Sequence, residues 1–288
     1  MQAPSEAATL NGMAHINDTP PTAVQSDLDS LASALDLAIP PKTDDNLLIG
    51  TWNIRSFASL TRKWTALGTD SPKRDLRGLR AIIDISRRFD VLAIQELRGD
   101  LRAPRDTMHF LGSDGAFLMT DVTQGGAGNS ERLAFLYDRT RVHPSGLACE
   151  LVVPPERLSR IGPDLLISQF ARTPYAVSFK RKNTTFILTT LHVLFGSAPS
   201  SRIGELKEIA DWMSDWAKRS HRFEHNLLTL GDFNIDRTGS PLYDAFVSTG
   251  LTIRTFCWIN REPFLMTRAI RFRRQLLRSD SLVYNRQS

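Results

Sequence analysis

Leu227-Leu-Thr-Leu-Gly-Asp-Phe-Asn-Ile-Asp236 is the stretch whose reading decides the fold. Four mostly apolar residues run into Gly231, and Asp232 and Asn234 follow, two positions apart. This is the pattern of a buried strand that stops in a tight turn. The strand fixes the backbone, and the turn presents a carboxylate and an amide at one edge of a sheet. Such a pair can grip a hard metal ion or a phosphate oxygen.

Three other strands end the same way. Leu47-Leu-Ile-Gly-Thr-Trp-Asn-Ile54 carries Asn53 near its end, Asp90-Val-Leu-Ala-Ile-Gln-Glu96 finishes on Gln95 and Glu96, and the Thr/Ile-rich run Thr184 to Leu191 leads into His192. Ser71-Pro72 between the first two predicts the start of a helix, with Leu76, Leu79, Ile82, Ile83 and Phe89 on its apolar face. Strand, crossover helix and strand make a parallel pair, and a parallel pair whose strands end in polar residues places a site at its carboxyl edge. Further strands are expected at Ala116 to Thr120, Leu133 to Tyr137, Leu165 to Phe170 and Tyr175 to Lys180, and further helices over Ser201 to Arg219 and from Ser240-Pro241 onward. Taken singly, a strand-end Asn or Asp is an ordinary turn residue and a lone His an ordinary surface or structural one. Four in one pattern are not independent.

Together these residues resemble the endonuclease/exonuclease/phosphatase superfamily. Thr-Trp-Asn-Ile at 51–54, Ile-Gln-Glu at 94–96, Thr-Leu-His at 190–192 and Gly-Asp-Phe-Asn at 231–234 are similar to four of its motifs in order. Asn129 to Tyr137 and Ala171-Arg-Thr-Pro174 are weaker matches, and the resemblance spans roughly residues 46 to 250. It implies an α/β fold, a four-layer α/β/β/α sandwich of two packed sheets. It implies a Mg²⁺ (or Mn²⁺) ion at Glu96 with help from Asn53. Asp232 would orient or deprotonate the attacking water, and Asn234 would hold the phosphate. His192, held by Glu131, would donate to a phosphoryl oxygen, and Arg172 would add a fixed positive charge. The implied activity is hydrolysis of a phosphodiester, DNA being the first candidate substrate.

Composition limits the alternatives. Hydrophobic content of 41% and charged content of 23% are ordinary for a globular chain. No apolar run approaches the length of a membrane span, and Met1 to Thr22 lacks the features of a secretory signal. Cys149 and Cys257 make neither a disulfide framework nor a metal pair. A cytoplasmic monomer is therefore expected. Residues 1 to 45 read as a disordered leader holding one short helix, capped by Ser26, with Leu28, Leu31, Leu35 and Ile39 on one face and Pro40-Pro41 at its end. Residues 46–250 form the main domain, and residues 251–288 are a basic tail with eight Arg, no Lys and two acids.

The tail departs from the family pattern. That pattern closes with Tyr-Asp and Ser-Asp-His, whereas here no histidine follows His225 and Ser279-Asp280-Ser281 supplies only the first two letters. The closing strands are also hard to find, so the sandwich is expected to be incomplete at its C-terminal end. Two explanations stand open: a frameshifted or truncated end, or a genuine basic amphipathic helix with Leu265, Ala269, Phe272 and Leu276 on one face. Loss of a positioned acid/base lowers a rate ~10²–10⁴-fold, so weak or absent activity is expected. The competing functions are non-catalytic binding of nucleic acid or an anionic surface through the tail, or an inactive fragment.

Overall fold

The computed structural model describes residues 12–123, 130–152, 170, 172–193, 202–218, 226–235, 237, 239–248, 252–254 and 269–271. The first half builds one sheet. Strand β1 (Ile49–Phe57) leads through helix α2 (Leu76–Ser86) to β2 (Val91–Arg98), which lies parallel to β1 as the crossover pattern requires. Helix α3 (Arg102–Leu111) follows, then β3 (Gly115–Met119) and β4 (Glu131–Asp138), giving the order β1-β2-β4-β3. The second half builds the other sheet from β5 (His143–Glu150), β6 (Tyr175–Arg181), β7 (Thr184–His192) and β8 (Leu227–Asp232), with helices α4 (Ile203–Lys218) and α5 (Pro241–Val247). Strands β7 and β8 are again parallel. Each half thus carries one parallel pair, and both pairs end in the polar residues singled out above.

Alternation along the strands divides the core into three layers. Val91 and Ala93 of β2 pack with Phe135, Val177, Phe179 and Leu188 between the sheets. Leu92 and Ile94 face the other way, onto Leu76, Leu79 and Ile83 of α2. On β7, Ile187 and Leu191 face Leu206, Ala210 and Met213 of α4. Two sheets face to face with helices outside each is the four-layer sandwich. Burying about 0.8 kcal/mol per methylene across three such layers is what holds it together.

Local chemistry moved several boundaries. Helix α2 opens at Leu76, not at Pro72, because the Asp75 carboxylate caps it by accepting from the Gly78 N–H at 2.9 Å. The N-terminal helix α1 (Thr22–Ala38) starts four residues before Ser26, directly after Pro20-Pro21, and ends as expected before Pro40-Pro41. Its Val24, Leu28 and Leu35 are buried in the same core layer as α2, with Ile39 beside them. The helix expected in this stretch thus packs through one face against the body of the protein. Residues 1–11 of the stretch lie outside the described residues.

One of the two readings of the tail, the amphipathic helix, is contradicted at residues 269–271. Thr252–Arg254 (β9) and Ala269–Arg271 (β10) are strands, with β10 antiparallel to β8 and β9 antiparallel to β10. Ala269 to Arg271 cannot then sit at the centre of an amphipathic helix. The exposed side of β8 offers unpaired backbone groups, and pairing them outweighs the helical spacing of the apolar residues. The rest of the tail and residues 165–169 of the strand expected at Leu165 to Phe170 lie outside the described residues, and Phe170 itself is not in a strand. Among the described residues, no helix is long and apolar enough to cross a membrane.

Candidate active site

The two parallel pairs bring their carboxyl ends together. Asn53 of β1 donates from Nδ2 to Glu96 Oε1 at 2.9 Å and to Asp232 Oδ2 at 3.0 Å. One amide thus joins carboxylates from both sheets. Its own Oδ1 accepts from the Arg55 N–H at 2.9 Å, and the second oxygen of Glu96 accepts from the Ser56 N–H at 3.0 Å. Beneath them, buried Gln95 donates to Thr51 Oγ1 at 3.2 Å and to Thr190 Oγ1 at 2.8 Å, a polar bridge from β2 to both β1 and β7.

Backbone irregularity aims these side chains. The β1–β2 register slips between Asn53 and Phe57, and the β2–β4 register slips between Ile94 and Leu97. Glu96 sits in that bulge with φ 61°. Leu97 consequently joins Leu92 and Ile94 on the outer face, and Glu96 is turned to the sheet edge. A non-glycine residue in this region costs roughly 1–3 kcal/mol and persists only where its surroundings enforce it. Asn234 has φ 48° for the same kind of reason. At Gly231 the requirement is steric: a Cβ would stand 2.0 Å from the Leu191 carbonyl oxygen of β7, and φ is 142°. Only glycine lets β7 and β8 close up so that His192 and Asp232 lie side by side in register.

His192 is held from behind. Its Nδ1 lies 3.0 Å from Glu131 Oε2, at the start of β4, and its Nε2 lies 3.8 Å from Asp232 Oδ2. With Nδ1 facing a carboxylate, that nitrogen carries the hydrogen and Nε2 is left facing the centre. Glu131 is 2% exposed and serves three cationic or donor groups. Arg172 Nε is 2.5 Å from Oε2, and Arg98 Nη2 is 3.3 Å from Oε1. Burial pushes the Glu131 carboxyl up, but the His192 hydrogen bond and the Arg172 charge outweigh it and leave the group below the ordinary glutamate value.

All seven residues expected from the sequence lie in this region, with one difference in orientation. Asn53, Glu96 and Asp232 form one hydrogen-bonded group, and His192, Glu131 and Arg172 form a second. The Asn234 side chain turns away: Nδ2 donates to the Val193 carbonyl at 2.6 Å, while its N–H donates to Asp232 Oδ1 at 3.1 Å. Arg202 further holds the Asn234 carbonyl. Arg98 was not foreseen. Its signal is the strand register, which sets Arg98 directly opposite Glu131, and a register is invisible until the pairing is known.

The donor set fits a small divalent cation at Glu96. Two carboxylates, Glu96 and Asp232, converge on a single amide NH₂ and remain partly open to water. Few carboxylates with room for water is what Mg²⁺ requires. Carboxylate oxygens of Glu96 and Glu131 and a ring nitrogen of His192 also lie within 4.8 Å of one another. Glu131 is already neutralised by two arginines, however, so the unspent negative charge is at Glu96 and Asp232.

Comparison with known proteins places the sequence and the fold. A family model described as Endonuclease/Exonuclease/phosphatase family matches residues 50–264. Among solved structures, the mannosyl-6-phosphatase of Bacteroides thetaiotaomicron VPI-5482 is similar at TM-score 0.52 and 18% identity, over 79% of this chain and 85% of that one. The human Nocturnin catalytic domain, solved with a bound sulfate anion, is similar at TM-score 0.52 and 13% identity, over 78% of this chain and 82% of that one. An endonuclease/exonuclease/phosphatase family protein from Bacteroides thetaiotaomicron gives TM-score 0.51 and 19% identity, over 78% and 82% of the two chains. At these identities the likeness is one of fold. No curated protein matches the sequence. The family match covers well over half of the sequence, and the fold and strand-end motifs agree with it: the chain belongs to the endonuclease/exonuclease/phosphatase family.

Proposed function

We propose that this chain is a metal-dependent phosphoesterase acting on phosphodiester bonds, with nucleic acid as the substrate class and with turnover kept weak because no histidine follows His225. The observation that carries the reading is the Asn53 amide joined to both Glu96 and Asp232, with His192 beside Asp232. Glu96, with Asn53 next to it, would hold Mg²⁺ (or Mn²⁺). When bound, the ion supplies charge neutralisation on the phosphate and orients it.

The protein's own groups account for the remaining work. Asp232, fixed by the Asn234 N–H and the Asn53 amide, orients a water and takes its proton as the new O–P bond forms and the ester P–O bond opposite it breaks, the departing oxygen taking a proton from solvent water. His192, with Nδ1 committed to Glu131, presents Nε2 to the centre. Protonated there, it donates to a phosphoryl oxygen as negative charge builds. Arg172 and Arg98 hold Glu131 so that the imidazole cannot swing. The Asn234 side chain, spent on Val193, serves the turn and not the phosphate.

The competing reading is non-catalytic binding of nucleic acid or an anionic surface through the Arg-rich tail, of which Ala269–Arg271 is a strand. The test is hydrolysis of plasmid DNA, RNA and a chromogenic phosphodiester by the purified chain, after chelation and after Mg²⁺ or Mn²⁺ is restored. Turnover that vanishes with chelator and returns with the ion supports the reading. Turnover indifferent to chelator overturns it, as does salt-sensitive binding of nucleic acid without any turnover.

A further inference from the structure

The end of β1 contains a second irregularity that the site residues do not explain. Arg55 and Ser56 are consecutive non-glycine residues with φ 48° and 53°. Two such residues in a row cost roughly 1–2 kcal/mol each, and an isolated strand end would not keep them. Yet this turn aims two backbone amides at the site: Arg55 N–H at Asn53 Oδ1 and Ser56 N–H at Glu96 Oε2. The same turn gathers the carbonyls of residues 54, 55 and 56 on its other side.

One side chain fills that side. Arg74, in the segment just before α2, donates from Nη1 to the Ser56 carbonyl at 2.7 Å, and from Nη2 to the Ile54 and Arg55 carbonyls, each at 2.7 Å. Its guanidinium carbon also lies 5.6 Å from the centre of the Phe57 ring. Arg74 is itself anchored at both ends of the loop: its carbonyl accepts from the Thr61 N–H at 2.8 Å, and the neighbouring Asp75 caps α2. Its guanidinium is partly desolvated, and the Glu96 charge compensates for some of that burial.

We infer that Arg74 is the positioning residue of the metal-holding half of the site, clamping the left-handed turn at Arg55-Ser56 so that its amides fix Asn53 and Glu96. The inference rests on the metal-site reading given above. Arg74, itself a cation, is not a metal ligand. It acts through three carbonyls and two amides. A lysine cannot replace it, because an ammonium keeps the charge near Glu96 but lacks the planar fork that reaches three acceptors.

Mn²⁺ binding by the full chain tests this, read from the electron paramagnetic resonance signal of free ion and paired with thermal unfolding. Wild type, Glu96→Ala, Arg74→Met and Arg74→Lys are compared. The inference predicts Mn²⁺ binding by wild type, its loss in Glu96→Ala, and binding weakened about 10–100-fold in both Arg74 variants. Arg74→Lys should remain folded. Wild-type affinity in a folded Arg74→Lys or Arg74→Met overturns the inference while leaving the metal site intact. No Mn²⁺ binding by wild type overturns the metal site and the inference with it.

Discussion

Asn53 and Asp232 stand 179 positions apart in the sequence and share a 3.0 Å hydrogen bond, the tie between the carboxyl ends of the two sheets. Neither residue is remarkable alone. Each becomes chemistry because the β1–β2 and β7–β8 pairs are both parallel and end at the same edge. If this tie sets the spacing of the carboxylates, Asn53→Ala should cut turnover about 10–100-fold, the usual cost of losing a group that orients a site. Unfolding temperature should change little, since Asn53 is only partly buried. Steady-state kinetics beside a thermal melt separates the two effects.

Glu131 gives a prediction in pH. Its folded value lies below its ordinary value of 4.5, so the carboxylate contributes stability that is fully present above that value. The contribution is lost as pH falls through the folded value. Wild type should therefore exceed Glu131→Gln in stability at pH 7, by ~3–5 kcal/mol if the buried pair with Arg172 behaves as such pairs do when one partner is removed. The gap should shrink as the pH falls below the ordinary value of 4.5 and through the lower folded value. Denaturant unfolding of both proteins from pH 7 to pH 3 checks the sign. A gap that widens in acid would contradict it.

Gly231→Ala should be among the most damaging single changes in the chain. The new methyl meets backbone, not a movable side chain, and φ is 142° besides. A loss of about 4 kcal/mol or more is expected, since strain at a special backbone position belongs to the few mechanisms that reach this size. Urea unfolding measures it, and a loss under about 1 kcal/mol would show that β7 and β8 separate at little cost.

The strands that build the site were legible because they are apolar runs of ordinary strand length that stop at a polar residue. Two elements were not. Strand β5 does alternate, with Ser145, Leu147 and Cys149 half-buried and their neighbours exposed, but Pro144 and Gly146 are not strand formers and only Leu147 of the inner face is strongly apolar, so the pattern is faint in the sequence. Helix α3 begins Arg-Ala-Pro-Arg-Asp and shows a helix signal only once its buried Ala103 and Thr107 are known. In the tail, apolar residues at helical spacing concealed short strands that only the open side of β8 explains. At the site, the motif residues were readable as types, but their orientations were not. That Asn234 turns to Val193, and that Arg74 and Arg98 brace the site, follows from register and bulges that no spacing rule encodes.

The most direct measurement is a Mg²⁺ titration of phosphodiester hydrolysis by wild type and by Glu96→Ala, at fixed pH and with both proteins shown to be folded. The account predicts weak turnover in wild type, lowered by the missing C-terminal histidine, that saturates with Mg²⁺, and a further fall of at least ~10²-fold in Glu96→Ala, the scale expected when a group central to transition-state charge is removed. Equal turnover in the two proteins, or turnover without Mg²⁺, would contradict it.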